Sequence, residues 1–356
     1  MDGVRLPRSR FLTLSALWLL AVATGPAGCK RGDAASDPAS QLSLTLGAYT
    51  TPREAYGKAI LPAFQRHFRE RVGKDIRFRE SYLGSGAQAR AIAGGFEADV
   101  AALSLEPDVE KLREAGLIQH DWRAGKYGGM ITRSVVVIGV REGNPNGIRD
   151  WQDLARPGVE VLTPNVRTSG GAMWNVLAIY GAALRGRAGT PSGDQQASID
   201  LLASIFRNVK VMDRGARDSM LTFERGIGDA IITYENEILV GRKQGKRYDY
   251  VTPSSTILIE NPAALVDVYV DRHGTRDAAR AFLDFLVTPA AQRAFAEYGL
   301  RPVVDGVAAE VEQRFAPVED LFTIRDLGGW KQAQQVLFDA GGVYDRALEK
   351  SRGSSP

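Results

Sequence analysis

A strand, a turn of small polar residues and the opening of a helix recur along this chain. The fullest copy is Thr163-Pro164-Asn165-Val166-Arg167-Thr168-Ser169-Gly170-Gly171-Ala172-Met173-Trp174-Asn175. Ser169, Gly170 and Gly171 stand where the helix begins. The first N–H groups of a helix have no acceptor inside it, and the helix dipole favours a negative charge there. Two glycines let an external group come close to those N–H groups. The stretch therefore predicts an anion cradle. Taken alone it fits an ordinary strand-to-helix turn with Ser169 as N-cap better, so the reading depends on matching turns elsewhere.

Such turns are present. Residues 42–49 alternate apolar and small or polar, as a strand should. In Thr50-Thr51-Pro52-Arg53-Glu54, Thr51 can N-cap a helix, Pro52 suits its first position and Glu54 completes a capping box. Tyr56, Ile60, Phe64 and Phe68 follow at intervals of four and predict a buried helix face. A strand over 76–79 leads through Gly84-Ser85-Gly86 into a helix over 87–93. That turn lacks the spacing and lysine of a nucleotide-binding P-loop. Residues 134–140 form an unbroken apolar run of the kind buried in parallel sheets. A strand over 209–213, the turn from Arg214 to Ser219 and a helix from Met220 repeat the theme. A strand over 229–234 enters Glu235-Asn236-Glu237, which reads as a surface helix end whose acids suit the dipole. Further on, 265–270 predicts a strand and 278–286 a helix. Residues 331–340 predict a last helix, with Trp330 as a packing anchor. The repeated unit implies an α/β fold with parallel sheets, in which ligands bind beyond the carboxyl ends of the strands. Several helix N-termini can then meet at one point.

With 356 residues, 44% of them hydrophobic, the chain can build two lobes. Its formal charge is +3, and without the first 28 residues it is about +1. No block of like charge or RNA-binding signature appears, so nucleic acid is not an expected partner. His67, His120 and His273 are far apart, no zinc spacing is present, and no metal or cofactor is expected. Arg5, Arg8 and Arg10 precede an apolar run over 11–24 that ends in Gly25-Pro26-Ala27-Gly28-Cys29. The run is short for a membrane span and reads as an export signal over 1–28. Cys29, the only cysteine, follows Ala27-Gly28, which resembles a bacterial lipoprotein signal. Cys29 would then be lipidated, and 29–41 would tether the protein to a membrane. Pro26 stands where such signals usually carry leucine, which leaves ordinary cleavage as the alternative.

Several motifs carry a wider resemblance. They include Ser81-Tyr82-Leu83-Gly84-Ser85-Gly86, Glu97-Ala98-Asp99-Val100 and Thr168-Ser169-Gly170-Gly171-Ala172-Met173-Trp174-Asn175. Gly215-Ala216-Arg217, Tyr234-Glu235-Asn236-Glu237, Arg301-Pro302 and Phe338-Asp339-Ala340-Gly341-Gly342 continue the series. From about Leu44 to Leu348 the chain resembles the periplasmic sulfate- and thiosulfate-binding proteins that serve ABC importers. The resemblance implies a two-lobed periplasmic-binding-protein fold of type II, each lobe a mixed, mainly parallel sheet flanked by helices. Lobe I would take 42–133 and 252–348, lobe II 134–251, and 349–356 would be a disordered tail. It also implies a monomeric, periplasmic binding protein, not an enzyme, that delivers its anion to permease subunits. The implied ligand-binding residues are Thr50, Ser85, Ser169, Gly170, Gly171, Ala216 and Tyr234. Thr50, Ser85, Gly170, Gly171 and Ala216 would offer backbone N–H groups, and Ser169 its hydroxyl. Thr50 stands where the family often has aspartate, a change that a main-chain contact tolerates. Tyr234 stands where some members have tryptophan; a tyrosine hydroxyl can accept as well as donate.

Sulfate is fully ionised at neutral pH and only accepts hydrogen bonds, so a site of donors suits it. Hydrogenphosphate still donates and needs an acceptor. None of the matched positions is a carboxylate, which favours sulfate, although Asp213, Asp218 and Glu235 lie close by in sequence. Molybdate, tungstate or phosphate remain alternatives. An esterase acting on sulfated or phosphorylated substrates would need a base beside Ser85 or Ser169, and no histidine or lysine is placed for that. A structural lipoprotein would leave the helix-start glycines unexplained.

Overall fold

The computed structural model describes residues 42–353. The expected export signal, Cys29 and the tether over 29–41 lie outside the described residues. The described chain opens with β1 (Leu42–Tyr49), in which Leu44 and Leu46 are buried. It continues through α1 (Arg53–Ala55), a π-helical turn over Tyr56–Ile60 and α2 (Leu61–Val72). Tyr56, Ile60, Phe64 and Phe68 are all buried, as their spacing predicts. The capping box expected at Thr51 does not form. Pro52 is the N-cap, with no side-chain cap, and the Arg53 N–H instead turns back to the Thr50 carbonyl at 3.2 Å.

β2 (Ile76–Leu83) leads into α3 (Ser85–Ala93), and β3 (Val100–Ala102) into α4 (Glu106–Glu114). The long β4 (Met130–Arg141) follows. β5 (Val161–Pro164) delivers α5 (Gly170–Leu184), then come α6 (Gln195–Arg207), β6 (Val209–Asp213) and α7 (Ala216–Glu224). β7 (Ala230–Tyr234) delivers α8 (Glu235–Lys243). β8 (Tyr248–Val251) and β9 (Ser255–Leu265) precede α9 (Asp267–His273), α10 (Arg276–Leu286), α11 (Pro289–Ala296) and α12 (Asp305–Val311). β10 (Asp320–Phe322), α13 (Gly329–Ala333) and α14 (Val343–Arg352) close the described chain.

The sheet order is β2-β1-β3-β9-β4-β7-β5-β6, with β10 beside β9 and β8 beside β4. β2, β1 and β3 run parallel, and so do β7, β5 and β6. β4 and β9 join the two sets. β4 pairs with β9 as far as Val135 and with β7 from Val136 onward. The apolar run over 134–140 is buried as expected, but its pairing is antiparallel to β7, β8 and β9. An unbroken apolar strand reports burial on both faces, and burial does not encode direction.

One core gathers Leu46, Phe64 and Phe282 from β1, α2 and α10. Another gathers Leu177, Leu202 and Ile232 from α5, α6 and β7. Phe322, Leu337, Phe338 and Tyr344 belong to the second core, so the C-terminal part of the range 252–348 packs with 134–251 instead of with 42–133. Phe206 and Tyr344 meet edge to face at 5.7 Å. The disordered tail expected from 349 is helical to Arg352. The strand expected over 265–270 is replaced by α9. Asp267 holds that helix start through the Gln119 N–H at 2.7 Å and Arg276 Nη1 at 2.7 Å. The last expected helix is cut at Ala333, after which a π-helical turn covers Gln334–Phe338. Among the described residues, no helix is long and apolar enough to cross a membrane.

Candidate functional site

Strand ends deliver the turns of interest to one place. β2 carries Gly84 and Ser85 at the start of α3, β5 carries Ser169, Gly170 and Gly171 at the start of α5, and β6 carries Gly215 and Ala216 at the start of α7. Their approach is measured by the space each glycine leaves. A methyl on Gly84 would lie 2.5 Å from the Thr168 carbonyl oxygen and 3.2 Å from that of Arg214. A methyl on Gly171 would lie 2.9 Å from Tyr234 Cε2, 3.3 Å from Ala216 Cβ and 3.4 Å from Ser169 Oγ. A methyl on Gly215 would lie 3.6 Å from Thr50 Oγ1. Thr50, Ser85, Ser169, Gly170, Gly171, Ala216 and Tyr234 are thus brought to one locality. Thr168 Oγ1 donates to the Arg214 carbonyl at 2.8 Å and ties the α5 and α7 turns together.

The polar groups there are mostly backbone donors. Gly170 and Gly171 occupy the first two positions of α5, and their N–H groups have no acceptor within the helix. Ser169 is the N-cap, and its Oγ accepts from the Ala172 N–H at 3.4 Å, a long bond. Ala216 opens α7 after an extended Gly215. In α3 the helical ladder begins with the Gln88 N–H donating to Gly84, which leaves the earlier N–H groups of the turn outside it. The Ser85 hydroxyl is already committed: it donates to Asp108 Oδ2 at 2.6 Å and accepts from the Ser104 N–H at 2.9 Å. Lys111 Nζ, 3.0 Å from Asp108 Oδ1, offsets that buried carboxylate. The backbone of Ser85, which the resemblance singles out, remains available.

Tyr234 is buried at the end of β7. Burial holds its hydroxyl well above the ordinary tyrosine range, against the pull of Ser104 and Asn261, so it stays protonated. Its oxygen lies 2.7 Å from Ser104 Oγ, and its ring lies 6.3 Å from that of Tyr49. The sequence did not single out Ser104 or Asp108. Ser104 follows β3 as Thr50 follows β1, and that repetition was the available signal.

Three of the acidic residues flanking the cradle in sequence, Asp213, Glu235 and Glu237, turn to other partners. Glu235 and Glu237 are buried, where the sequence suggested a surface helix end. Arg301 grips Glu235 through two bonds of 2.7 and 2.9 Å, and Arg217 Nη1 lies 2.9 Å from Glu237 Oε2. A sequence shows the acids but not the arginines that allow their burial. Asp213 Oδ1 accepts from Thr222, whereas Asp218 is exposed and its Oδ2, like Thr50 Oγ1, lies 3.6 Å from where a methyl on Gly215 would be. Two of the histidines pair with carboxylates elsewhere, His120 with Asp267 and His273 with Asp99 and Glu97, while His67 packs on Phe285. Trp330 meets Trp174 edge to face at 4.8 Å, as a packing anchor would.

The family model of bacterial extracellular solute-binding proteins matches residues 44–301. A sulfate-binding protein from Synechococcus elongatus is 39% identical over 349 residues, covering 97% of this chain and 98% of the relative. A thiosulfate-binding protein from Pseudomonas aeruginosa is 33% identical, covering 90% of this chain and 95% of the relative. Among solved structures, the sulfate-binding protein SubI from Mycobacterium tuberculosis is similar with a TM-score of 0.77 and 40% identity. That match covers 84% of this chain and all of the other.

Proposed function

The chain belongs to the bacterial extracellular solute-binding proteins, in the family of the sulfate-binding proteins, and from that premise we propose that it captures sulfate or thiosulfate and delivers it to an ABC permease. Its α/β fold is that of the periplasmic binding proteins. The observation that carries the proposal is the convergence of the α3, α5 and α7 starts with Tyr234 at one point. Each helix start offers unpaired N–H donors and the positive end of its dipole, which suits an anion that cannot donate. A dry site strengthens each of these bonds.

In this reading the ligand is held by the N–H groups of Thr50, Ser85, Gly170, Gly171 and Ala216, by Ser169 Oγ and by the Tyr234 hydroxyl. The lobes are 42–133 with the returning chain after 252, and 134–251. Residues 322–348 ride on the second lobe, in keeping with their core. β4 and β9 are the connections about which the lobes move, because both parallel strand sets attach to them. The protein works outside the cytoplasm as a monomer, held to the membrane by a lipid on Cys29. The support for that anchor is the run Ala27-Gly28-Cys29 after an apolar segment.

Thermal unfolding of the mature chain with a panel of oxyanions tests the proposal. Binding to the native state alone raises the midpoint with concentration. Sulfate or thiosulfate is expected to do so at micromolar to millimolar concentration. A midpoint that no oxyanion moves refutes the function, and one moved only by molybdate, tungstate or phosphate refutes the choice of anion.

A further inference from the structure

The amino ends of β1 and β2, remote from the cradle, carry a basic surface. The two strands are parallel and eight residues long, and their carboxyl ends deliver Thr50 and Ser85 to the cradle. Their amino ends, at Leu42 and Ile76, therefore lie about 25 Å away. α2 runs back to that end, where its C-cap Gly73 turns the chain into β2. Between residues 66 and 77 stand Arg66, Arg69, Arg71, Lys74 and Arg77 against Glu70 and Asp75, a net +3. The whole chain without its first 28 residues carries only about +1.

All of these charged residues are exposed. Asp75 pairs with Arg69, and among the described residues no carboxylate pairs with Arg66, Arg71, Lys74 or Arg77. Arg69 and Arg71 stand in the last turn of α2, where the helix dipole favours a cation. The dipole does not account for Arg66, Lys74 or Arg77. Arg66, Arg69 and Arg77 line one hollow, and Arg71 borders the next beside Val72. Val72 is 50% exposed, an apolar side chain set among cations.

The chain enters the fold at the same place. Leu42 pairs with Ile76, which lines the hollow with Arg66 and Arg77. Residues 30–41 separate Leu42 from Cys29, so a lipid on Cys29 would keep this end within about 45 Å of a bilayer.

We propose that this basic end docks on a bilayer surface rich in anionic phospholipid, with the cradle facing the solution. Cations around an exposed apolar side chain match a headgroup layer, which offers phosphate charge with hydrocarbon beneath it. The contact is loose, because each Lys or Arg adds only about a fivefold gain in partitioning and salt screens it. The protein is thus held at the surface while its cleft collects anions, and it can leave the surface to meet a permease.

Flotation of the mature chain, carrying no lipid, with vesicles at low ionic strength tests this. One set of vesicles is phosphatidylcholine alone, and the other is phosphatidylcholine and phosphatidylglycerol in equal parts. Without a lipid on Cys29 the result bears on the basic end alone, so the anchor and the oxyanion site stand or fall separately. The wild type is expected to float with the anionic vesicles only and to be released as salt rises. Arg66→Gln, Arg71→Gln and Lys74→Gln together are expected to lower its partitioning about a hundredfold. Equal flotation with both vesicles overturns the proposal, and so does a triple variant that partitions like the wild type. If the triple variant does not fold, release of the wild type by salt decides. A wild type that ignores the vesicles but is retained on heparin, a soluble polyanion, overturns the assignment to a membrane.

Discussion

The Arg217 guanidinium joins two carboxylates, with Nη2 2.7 Å from Glu54 Oε1 and Nη1 2.9 Å from Glu237 Oε2. Glu54 lies on α1 just after Thr50, while Arg217 follows Ala216 on α7. The ion triad therefore stands beside the cradle and ties its α1 side to its α7 side. Burial pushes the Glu237 carboxyl up to about 7, against the pull of Arg217. Removing Arg217 strands a buried acid, and removing Glu54 does not. Arg217→Ala should cost about 3–5 kcal/mol of stability, and Glu54→Ala less, because Arg217 then stays paired with Glu237. Urea unfolding of the ligand-free variants measures both; equal losses would show that Glu237 does not depend on Arg217.

Gly84 faces two carbonyl oxygens that belong to the α5 and α7 turns, and neither can rotate away as a side chain could. Its own backbone is compatible with alanine, at φ −56° and ψ 142°. Gly84→Ala should therefore hinder the approach of the turns without straining its own φ and ψ. Overpacking of this kind costs about 1–3 kcal/mol, so sulfate affinity should fall about 5–150-fold. Wild-type affinity in calorimetry would mean that the turns need not approach so closely.

Ser169 supplies the cradle's second-lobe hydroxyl in the proposed site, and its bond to the Ala172 N–H is long at 3.4 Å. The cap is weak, so the hydroxyl is free to serve the anion. Ser169→Ala should weaken sulfate binding by about 1–3 kcal/mol, the range for a hydrogen bond to a charged group. A loss of helix stability with no loss of affinity would reduce Ser169 to an N-cap.

Much of this was legible in the sequence, and what was missed has a common cause. Ser169-Gly170-Gly171 announces itself because helix starts follow local rules, whereas α7 opens at Ala216, four residues before the start at Met220 that its turn suggested. The direction of β4, the burial of Glu235 and Glu237, and the place of the C-terminal segment depend on distant partners: β7 and β9, Arg301 and Arg217, and α6. Thr51 shows the reverse failure. Its local cap signal lost to the turn formed by Thr50 and Arg53. Ser104 was hidden because the partner of its hydroxyl, Tyr234, lies 130 residues away.

Asp267 gives the protein an acid-sensitive clasp. It accepts from the Gln119 N–H at 2.7 Å, His120 Nδ1 at 2.6 Å and Arg276 Nη1 at 2.7 Å. Burial pushes its carboxyl up, but these donors outweigh burial and pull it down to about 2, from an ordinary 3.8. A carboxyl depressed by folding stabilises above its unfolded pKa and loses that contribution as pH falls through the folded one. The contribution should be intact above about pH 5 and fade from about pH 4 to pH 2. Asp267→Asn should be less stable at neutral pH and lose less than the wild type on acidification. Parallel acid unfolding curves would contradict this.

The most direct test is a crystal structure of the mature chain grown with selenate, whose anomalous signal locates the anion. The anion is expected among α3, α5 and α7, with its oxygens about 2.7–3.2 Å from the Gly170 and Gly171 N–H groups. Ser169 Oγ, the Ala216 N–H and the Tyr234 hydroxyl should lie within the same range. Selenate found elsewhere, with Gly170 and Gly171 facing only protein or water, would contradict the proposed site.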